Sequence, residues 1–148
     1  MTFTEIQEQA RAEWDEFQSD DRSRILVGAG TCGRAAGAEE TLDVIRQFVA
    51  DNGLDVAVHE VGCMGLCYAE PELELCAPGR PAILYADVTP DKALDLLKGY
   101  FLEDDLCEEL AVAVMDGEPA DGIPAFDELP MIRGQARIVT RNCGRIDP

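Results

Sequence analysis

The pattern of apolar and polar residues predicts a strand-helix-strand unit in the first half of the chain. Residues 24–27 form a compact apolar run typical of a buried strand. Residues 35–52 then repeat apolar positions at helical spacing, with Gly53 placed as the helix stop. Residues 55–61 alternate apolar and polar side chains, which indicates a second strand. We expect this strand-helix-strand order to form a right-handed parallel unit.

A hairpin and a further helix are predicted next. Residues 72–75 alternate strictly and residues 82–85 are apolar, and a Pro-Gly-Arg-Pro turn separates these two strands. Thr89 and Pro90 then provide the N-cap and first position of a helix that extends to about residue 102. The order β-α-β-β-β-α predicts an α/β fold in which helices flank a mixed four-stranded sheet.

The two ends of the chain differ from this central part. Residues 3–18 carry apolar side chains at helical spacing, and Thr2 and Glu5 fit a capping box, so we expect a separate amphipathic helix. Beyond residue 103 the chain is acidic and interrupted by prolines, and only residues 135–140 have the composition of a strand. We therefore predict an N-terminal helix and linker (1–22), a central domain (23–102) and an irregular, extended C-terminal tail (103–148).

Charge and composition narrow the classes of partner. Twelve basic and 30 acidic residues give a net charge of −18, which argues against nucleic acid or an anionic membrane and favours a basic or neutral protein surface. No apolar run approaches the roughly 18 residues of a membrane span, and the N-terminus lacks the pattern of a targeting segment, so we expect a cytoplasmic protein. The carboxylates are dispersed and no hydrolase or phosphate-loop signature occurs, so we expect no catalysis by this chain alone.

Three cysteines are the strongest candidates for chemistry. Cys63 and Cys67 form a Cys-x3-Cys pair directly after the second predicted strand, and Cys32 follows the first. The glycines at Gly62 and Gly65 leave backbone N–H groups free to approach sulfur, and such hydrogen bonds tune thiolate-bound clusters. We therefore predict that Cys32, Cys63 and Cys67 bind a metal or an iron-sulfur cluster, against the alternative of small buried side chains.

The remaining candidates are weaker. Cys76 lies at the far end of a strand and is predicted to be a core thiol, although it is the nearest candidate in sequence for a fourth ligand. Cys107 and Cys143 are assigned structural roles. His59 is expected to be a half-exposed strand residue, with a structural zinc site on His59 and the three thiols as a weaker reading. The Gly-x-Gly-x-x-Gly spacing at residues 28–33 lies in too small a unit for dinucleotide binding.

Three motifs in the same order carry a resemblance to a known family. Residues 30–38, residues 62–67 followed by Glu70 and Pro71, and residues 135–148 look like the N-terminal thioredoxin-like 2Fe-2S ferredoxin domain of the NADH-binding flavoprotein subunit of NAD-linked hydrogenases and formate dehydrogenases. That subunit is related to the flavoprotein subunit of respiratory complex I. The resemblance implies that FMN and NADH bind only in a large following domain, which is absent here, and that this chain is a piece of such a subunit.

The chain departs from the family pattern at one place. The family has Cys-x4-Cys after the first strand, and aligning the glycines places Gly28 and Gly33 at those two positions, with Cys32 displaced by one residue. Three thiols therefore match, whereas a 2Fe-2S cluster ordinarily takes four protein ligands.

The resemblance implies two functions for this chain. The first is a one-electron carrier with a 2Fe-2S cluster in an NADH-linked oxidoreductase, with the other subunits of that complex as partners. The alternative is a cluster-free docking module of the same complex. Self-association is left open by the sequence.

Overall fold

Four α-helices and five strands occur in the part of the chain that the structure describes. The computed structural model describes residues 1–17 and 21–146. The helices are α1 (Phe3–Phe17), α2 (Thr31–Ala35), α3 (Ala38–Asp51) and α4 (Pro90–Lys98). The strands are β1 (Ser23–Gly28), β2 (Val56–Val61), β3 (Leu73–Cys76), β4 (Ile83–Tyr85) and β5 (Ala111–Val114).

The strands form one mixed sheet in the order β2-β1-β3-β4-β5. Strands β1 and β2 are parallel, with Gly28 opposite Val61 at their ends, and all other neighbours are antiparallel. The parallel strand-helix-strand unit and the β3-β4 hairpin are therefore confirmed. Because the sheet order places β3 beside β1, the hairpin continues the sheet on the side of β1 away from β2.

The prediction of four strands was one strand short. The fifth strand, β5, pairs with β4 and places Val114 opposite Ile83. Its four residues alternate only between alanine and valine and follow an acidic stretch, so their sequence carries little strand signal. The strand expected at residues 135–140 was wrong, because this segment is irregular, ends in a turn and leaves Ile138 and Val139 83% and 96% exposed.

Helices α3 and α4 cover one face of the sheet. Ile25 and Leu75 of the sheet meet Ile45 of α3 and Leu96 of α4, and all four side chains are fully buried. Burying a side chain of this size contributes about 1.5–3 kcal/mol, so this layer holds the sheet together. Helix α3 ends where the sequence predicts, because Gly53 adopts the left-handed conformation, with φ of 59°, that ends many helices.

Loops, rather than helices, cover the other face of the sheet. Met64 and Leu66 from the loop after β2 pack with Leu84 of β4 and Ile132 of the C-terminal segment. This cover also buries Glu74 of β3, which accepts a 2.7 Å hydrogen bond from Arg145 Nη1. The domain boundaries at residues 22 and 102 stay a prediction, but the segment after residue 102 supplies both β5 and part of this cover.

Helix α1 lies apart from this core. The predicted capping box is present, since Thr2 N–H donates to Glu5 Oε2 at 2.6 Å and Glu5 N–H donates to Thr2 Oγ1 at 3.3 Å. No residue of α1 is buried, and its end meets the sheet where the rings of Phe17 and His59 lie 5.1 Å apart. Within the described part of the chain, no helix has the length and apolar character needed to cross a membrane.

The ion pair between Arg145 and Glu74 should stabilise the loop-covered face. Arg145→Met should lower the free energy of unfolding by about 3 kcal/mol at neutral pH, because it leaves the buried Glu74 carboxylate without its cation. Arg141→Met, at an exposed arginine nearby, should change it by less than about 0.5 kcal/mol. Urea unfolding followed by circular dichroism measures both values. Equal losses in the two variants would contradict a stabilising role for the pair.

Candidate metal centre

The ends of two parallel strands bring the three predicted thiols together. Cys32 lies in α2 after β1, Cys63 follows β2, and Cys67 begins a short 3-10 helix, Cys67–Ala69. Because parallel strands end at the same edge of a sheet, the segments that follow β1 and β2 are neighbours. The Sγ atoms of Cys32, Cys63 and Cys67 all lie within 4.8 Å of one another.

The loop between Cys63 and Cys67 turns both sulfur atoms to the same side. Their Sγ atoms are 3.7 Å apart, and the Gly65 N–H donates to Cys63 Sγ at 3.3 Å. Gly65 has φ of 106°, a conformation that residues with a side chain rarely adopt. The expected donation from a glycine N–H to sulfur is therefore present. Cys67 is exposed, while Cys32 and Cys63 are partly buried, so the group lies close to the surface.

Two glycines allow the segments around the thiols to pack closely. A Cβ atom at Gly33 would lie 1.9 Å from the carbonyl oxygen of Gly28, which no structure accommodates without a backbone shift. A Cβ atom at Gly28 would lie 2.6 Å from Oε2 of Glu70. The absence of side chains at these two positions therefore seats α2 against β1 and makes room for the Glu70 carboxylate.

The C-terminal segment braces the cysteine loop from outside. The Gly62 N–H donates to the carbonyl oxygen of Ile146 at 2.9 Å, and Arg137 Nη2 donates to the carbonyl oxygen of Met64. Sequence reasoning noted the segment around Arg137 only as part of the family resemblance and predicted a strand there. Its observed role is to hold the loop through backbone carbonyls and to place a cation beside it.

Two buried carboxylates next to the thiols were missed by sequence reasoning. Glu70 is 5% exposed and Glu72 is 3% exposed, and each places a carboxylate oxygen within 4.8 Å of the other and of Cys63 Sγ. Glu70 Oε2 accepts the Glu72 N–H at 2.9 Å. The only sequence signal was the Glu70-Pro71 pair in the second motif, because a strand pattern alone places the alternating glutamates of residues 70–74 on a solvated face.

Without a metal, this environment favours protonated groups. Burial raises the pKa of the Cys63 thiol to about 12, with the Gly65 N–H acting in the opposite direction and Glu70 reinforcing the rise. The pKa of Cys32 is also raised, first by its hydrogen bond with Cys67. Burial, and then the neighbouring Glu70, raise the pKa of Glu72 to about 8. Since thiols must lose their protons to bind a metal, a cation here would displace protons.

The other cysteines and the histidine do not join this group within the described residues. Cys76 is buried and its thiol donates to Glu74 Oε1 at 3.4 Å, so it is a core thiol as predicted. Cys107 is buried beside Gly99, and Cys143 is partly buried in the C-terminal segment. His59 packs against Phe17, and burial lowers its pKa. The zinc site that combined His59 with the three thiols is therefore not formed.

The tight contact at Gly33 should make this position intolerant of a side chain. Gly33→Ala should lower the free energy of unfolding by about 3 kcal/mol, because its Cβ atom would overlap the backbone of Gly28. Gly53→Ala is a matched control: its φ is also unfavourable for alanine, but nothing lies within 4 Å, so the cost should be about 1 kcal/mol. Urea unfolding of both variants tests this, and a smaller loss at Gly33 than at Gly53 would refute it.

The raised pKa of Glu72 should make the metal-free protein less stable as pH rises. The folded state binds this proton more tightly than the unfolded state, so the contribution is complete below about pH 4.5 and is lost as pH rises through about 8. The free energy of unfolding should fall across this range in the wild type and fall less in Glu72→Gln. Urea titrations at several pH values measure the difference, and parallel pH profiles for the two proteins would argue against it.

Comparisons with known proteins agree with this fold. No protein-family model matches the chain. The chain is 34% identical over 100 residues to the NADP-reducing hydrogenase subunit HndB of Solidesulfovibrio fructosivorans, and the match covers 67% of this chain and 69% of HndB.

Solved structures show the same fold at low sequence identity. The wild-type thioredoxin-like 2Fe-2S ferredoxin of Aquifex aeolicus is 14% identical, with a TM-score of 0.55, and the match covers 63% of this chain and 98% of the ferredoxin. A second structure of a thioredoxin-like 2Fe-2S ferredoxin from that organism gives 12% identity and a TM-score of 0.56, covering 66% and 96%. The expected thioredoxin-like ferredoxin fold is thus confirmed, and the chain belongs to the family of the hydrogenase subunit HndB.

Proposed function

We propose that this chain is an electron-carrying subunit of a hydrogenase-type complex and that Cys32, Cys63 and Cys67 hold a 2Fe-2S cluster. The observation that carries this proposal is the approach of three sulfur atoms, one after β1 and two from the loop after β2, to within 4.8 Å of one another. Thiolates are soft ligands that favour iron-sulfur clusters, zinc or Cu(I) over hard cations. The likeness in fold to 2Fe-2S ferredoxins and the relationship to a hydrogenase subunit support an iron-sulfur cluster over zinc or Cu(I).

The residues around the thiols suit such a cluster. When bound, a 2Fe-2S cluster accepts and donates single electrons, and its potential depends on hydrogen bonds to sulfur and on exposure to solvent. The Gly65 N–H supplies one hydrogen bond to Cys63 Sγ, and Arg137 places a positive charge beside the same loop. Cys67 is exposed, so a cluster bound to it would lie close to the protein surface. A partner protein could then approach the cluster to the short distance that electron exchange requires.

The partners proposed are the other subunits of such a complex. The net charge of −18 favours contact with basic or neutral protein surfaces. The family resemblance implies NADH, whereas the relative HndB is described as NADP-reducing, so we propose coupling to a nicotinamide nucleotide and a flavin that other parts of the complex bind.

All six cysteines are free thiols, which suits a reducing compartment such as the cytoplasm.

A cluster-free docking module is the second candidate function. One observation favours it: within the described residues only three thiols meet, while a 2Fe-2S cluster ordinarily takes four protein ligands. The same fold and acidic surface would then serve only to bind neighbouring subunits. Iron content separates the two candidates, because a docking module needs no metal.

The cluster is tested by metal analysis and visible absorbance of protein purified without oxygen. The wild type should contain about two irons per chain and absorb visible light. Cys63→Ala should lose most of both, because alanine cannot bind iron. Cys143→Ala is the matched control: its thiol lies outside the group, so its iron content and spectrum should match the wild type. Iron-free wild type, or an unchanged spectrum in Cys63→Ala, would remove the support for a cluster on these thiols.

A further inference from the structure

We propose that the carboxylate of Glu70 is the fourth protein ligand of the cluster, completing the set begun by Cys32, Cys63 and Cys67. This inference rests on the proposed function, since it concerns how the same site binds its cluster. It identifies a ligand that is not a cysteine and lies in the connection that leads into β3.

Burial of Glu70 is the first observation. Glu70 is only 5% exposed, and its Oε1 atom has no hydrogen-bond partner within the described residues. A buried carboxylate oxygen without a partner is unfavourable, because it has lost water and gained nothing in exchange. A metal ion bound at this oxygen would supply the missing interaction.

The position of the carboxylate is the second observation. Its Oε2 atom is fixed by the Glu72 N–H at 2.9 Å and lies in the space left by the missing side chains of Gly28 and Gly33. Gly28 ends β1 and Gly33 follows Cys32 within α2. A carboxylate oxygen of Glu70 also lies within 4.8 Å of Cys63 Sγ. The carboxylate is therefore held beside Cys63 and against the two glycines on either side of Cys32.

No other described side chain competes as well for this role. The remaining cysteines and His59 lie outside both groups of potential ligands. Glu72 belongs to the same group as Glu70 and also has a buried Oε1 atom without a hydrogen-bond partner, but its side chain lines a small space with Leu26 and Met64 on the loop-covered face. Arg137 also acts on Glu72 as an opposing charge. Glu70 is the carboxylate that lies against Gly28 and Gly33, the glycines on either side of Cys32.

A carboxylate suits the fourth position chemically. It carries the same formal charge as a thiolate, so replacing one thiolate with it leaves the total charge of the cluster unchanged. It is a harder ligand than sulfur and prefers ferric over ferrous iron. One iron would then be bound by two cysteines and the other by one cysteine and Glu70, so the two irons would differ even in the oxidised state.

The test is Mössbauer spectroscopy of the oxidised, iron-57-loaded full chain, with Glu70→Gln and Glu72→Gln as paired variants. The wild type should show two ferric sites of equal area with different isomer shifts, the larger one arising from the oxygen-bound iron. Glu70→Gln should lose at least half of its iron and visible absorbance, because an amide is a poor ligand. Glu72→Gln should retain both the iron content and the two distinct sites.

The outcomes separate this inference from the proposed function. Iron-free wild type would refute the cluster and the ligand together. Two equivalent, sulfur-bound irons in the wild type would refute Glu70 as a ligand while the cluster stands, and this measurement needs no variant to fold. Loss of iron in Glu72→Gln with retention in Glu70→Gln would likewise overturn the assignment. Circular dichroism of each metal-free variant confirms that losses of iron occur in folded protein.

Discussion

The parallel pairing of β1 with β2 is the constraint on which the candidate site depends. It places Gly28 opposite Val61, so that the chain leaves both strands at the same edge of the sheet. Cys32 and Cys63 lie a few residues beyond those two strand ends and cannot be far apart while this register holds. A slip of the register would separate them and would also turn the buried residues of β1 toward the wrong face.

Close packing at this edge of the sheet depends on positions without a side chain, Gly28 and Gly33. Glycines allow α2 to approach β1, and the space above Gly28 holds a carboxylate in place of a side chain from the turn itself. The loop-covered face of the sheet buries the carboxyl groups of Glu72 and Glu74. The positive charges of Arg137 and Arg145 lie beside Glu72 and Glu74 respectively. The ordinary division into an apolar inside and a charged outside therefore breaks down around the thiols.

Most of the central fold could be predicted from the sequence because its signals are local. Apolar periodicity distinguishes the helices from the strands. The proline at the start of α4 and the glycine after α3 mark where those two helices begin and end. Strand β5 could not be predicted in this way, since it is short and its assignment depends on pairing with β4. The three thiols could be grouped from their positions after strands. Glu70 could not, because its carboxylate lies against Gly28 and Gly33, which are distant in the sequence.

The spacing of the thiols along the chain has a consequence for the maturation of the protein. Cys32 and Cys63 are separated by most of the β1-α3-β2 unit, so a metal bound to both would close a long loop, much as a covalent crosslink does. Because the ends of β1 and β2 bring these thiols together only in the folded chain, metal binding would stabilise the native state. If the thiols hold the proposed cluster, the fold would be less stable before it is loaded, and the lifetime of the protein in the cell would depend on iron supply.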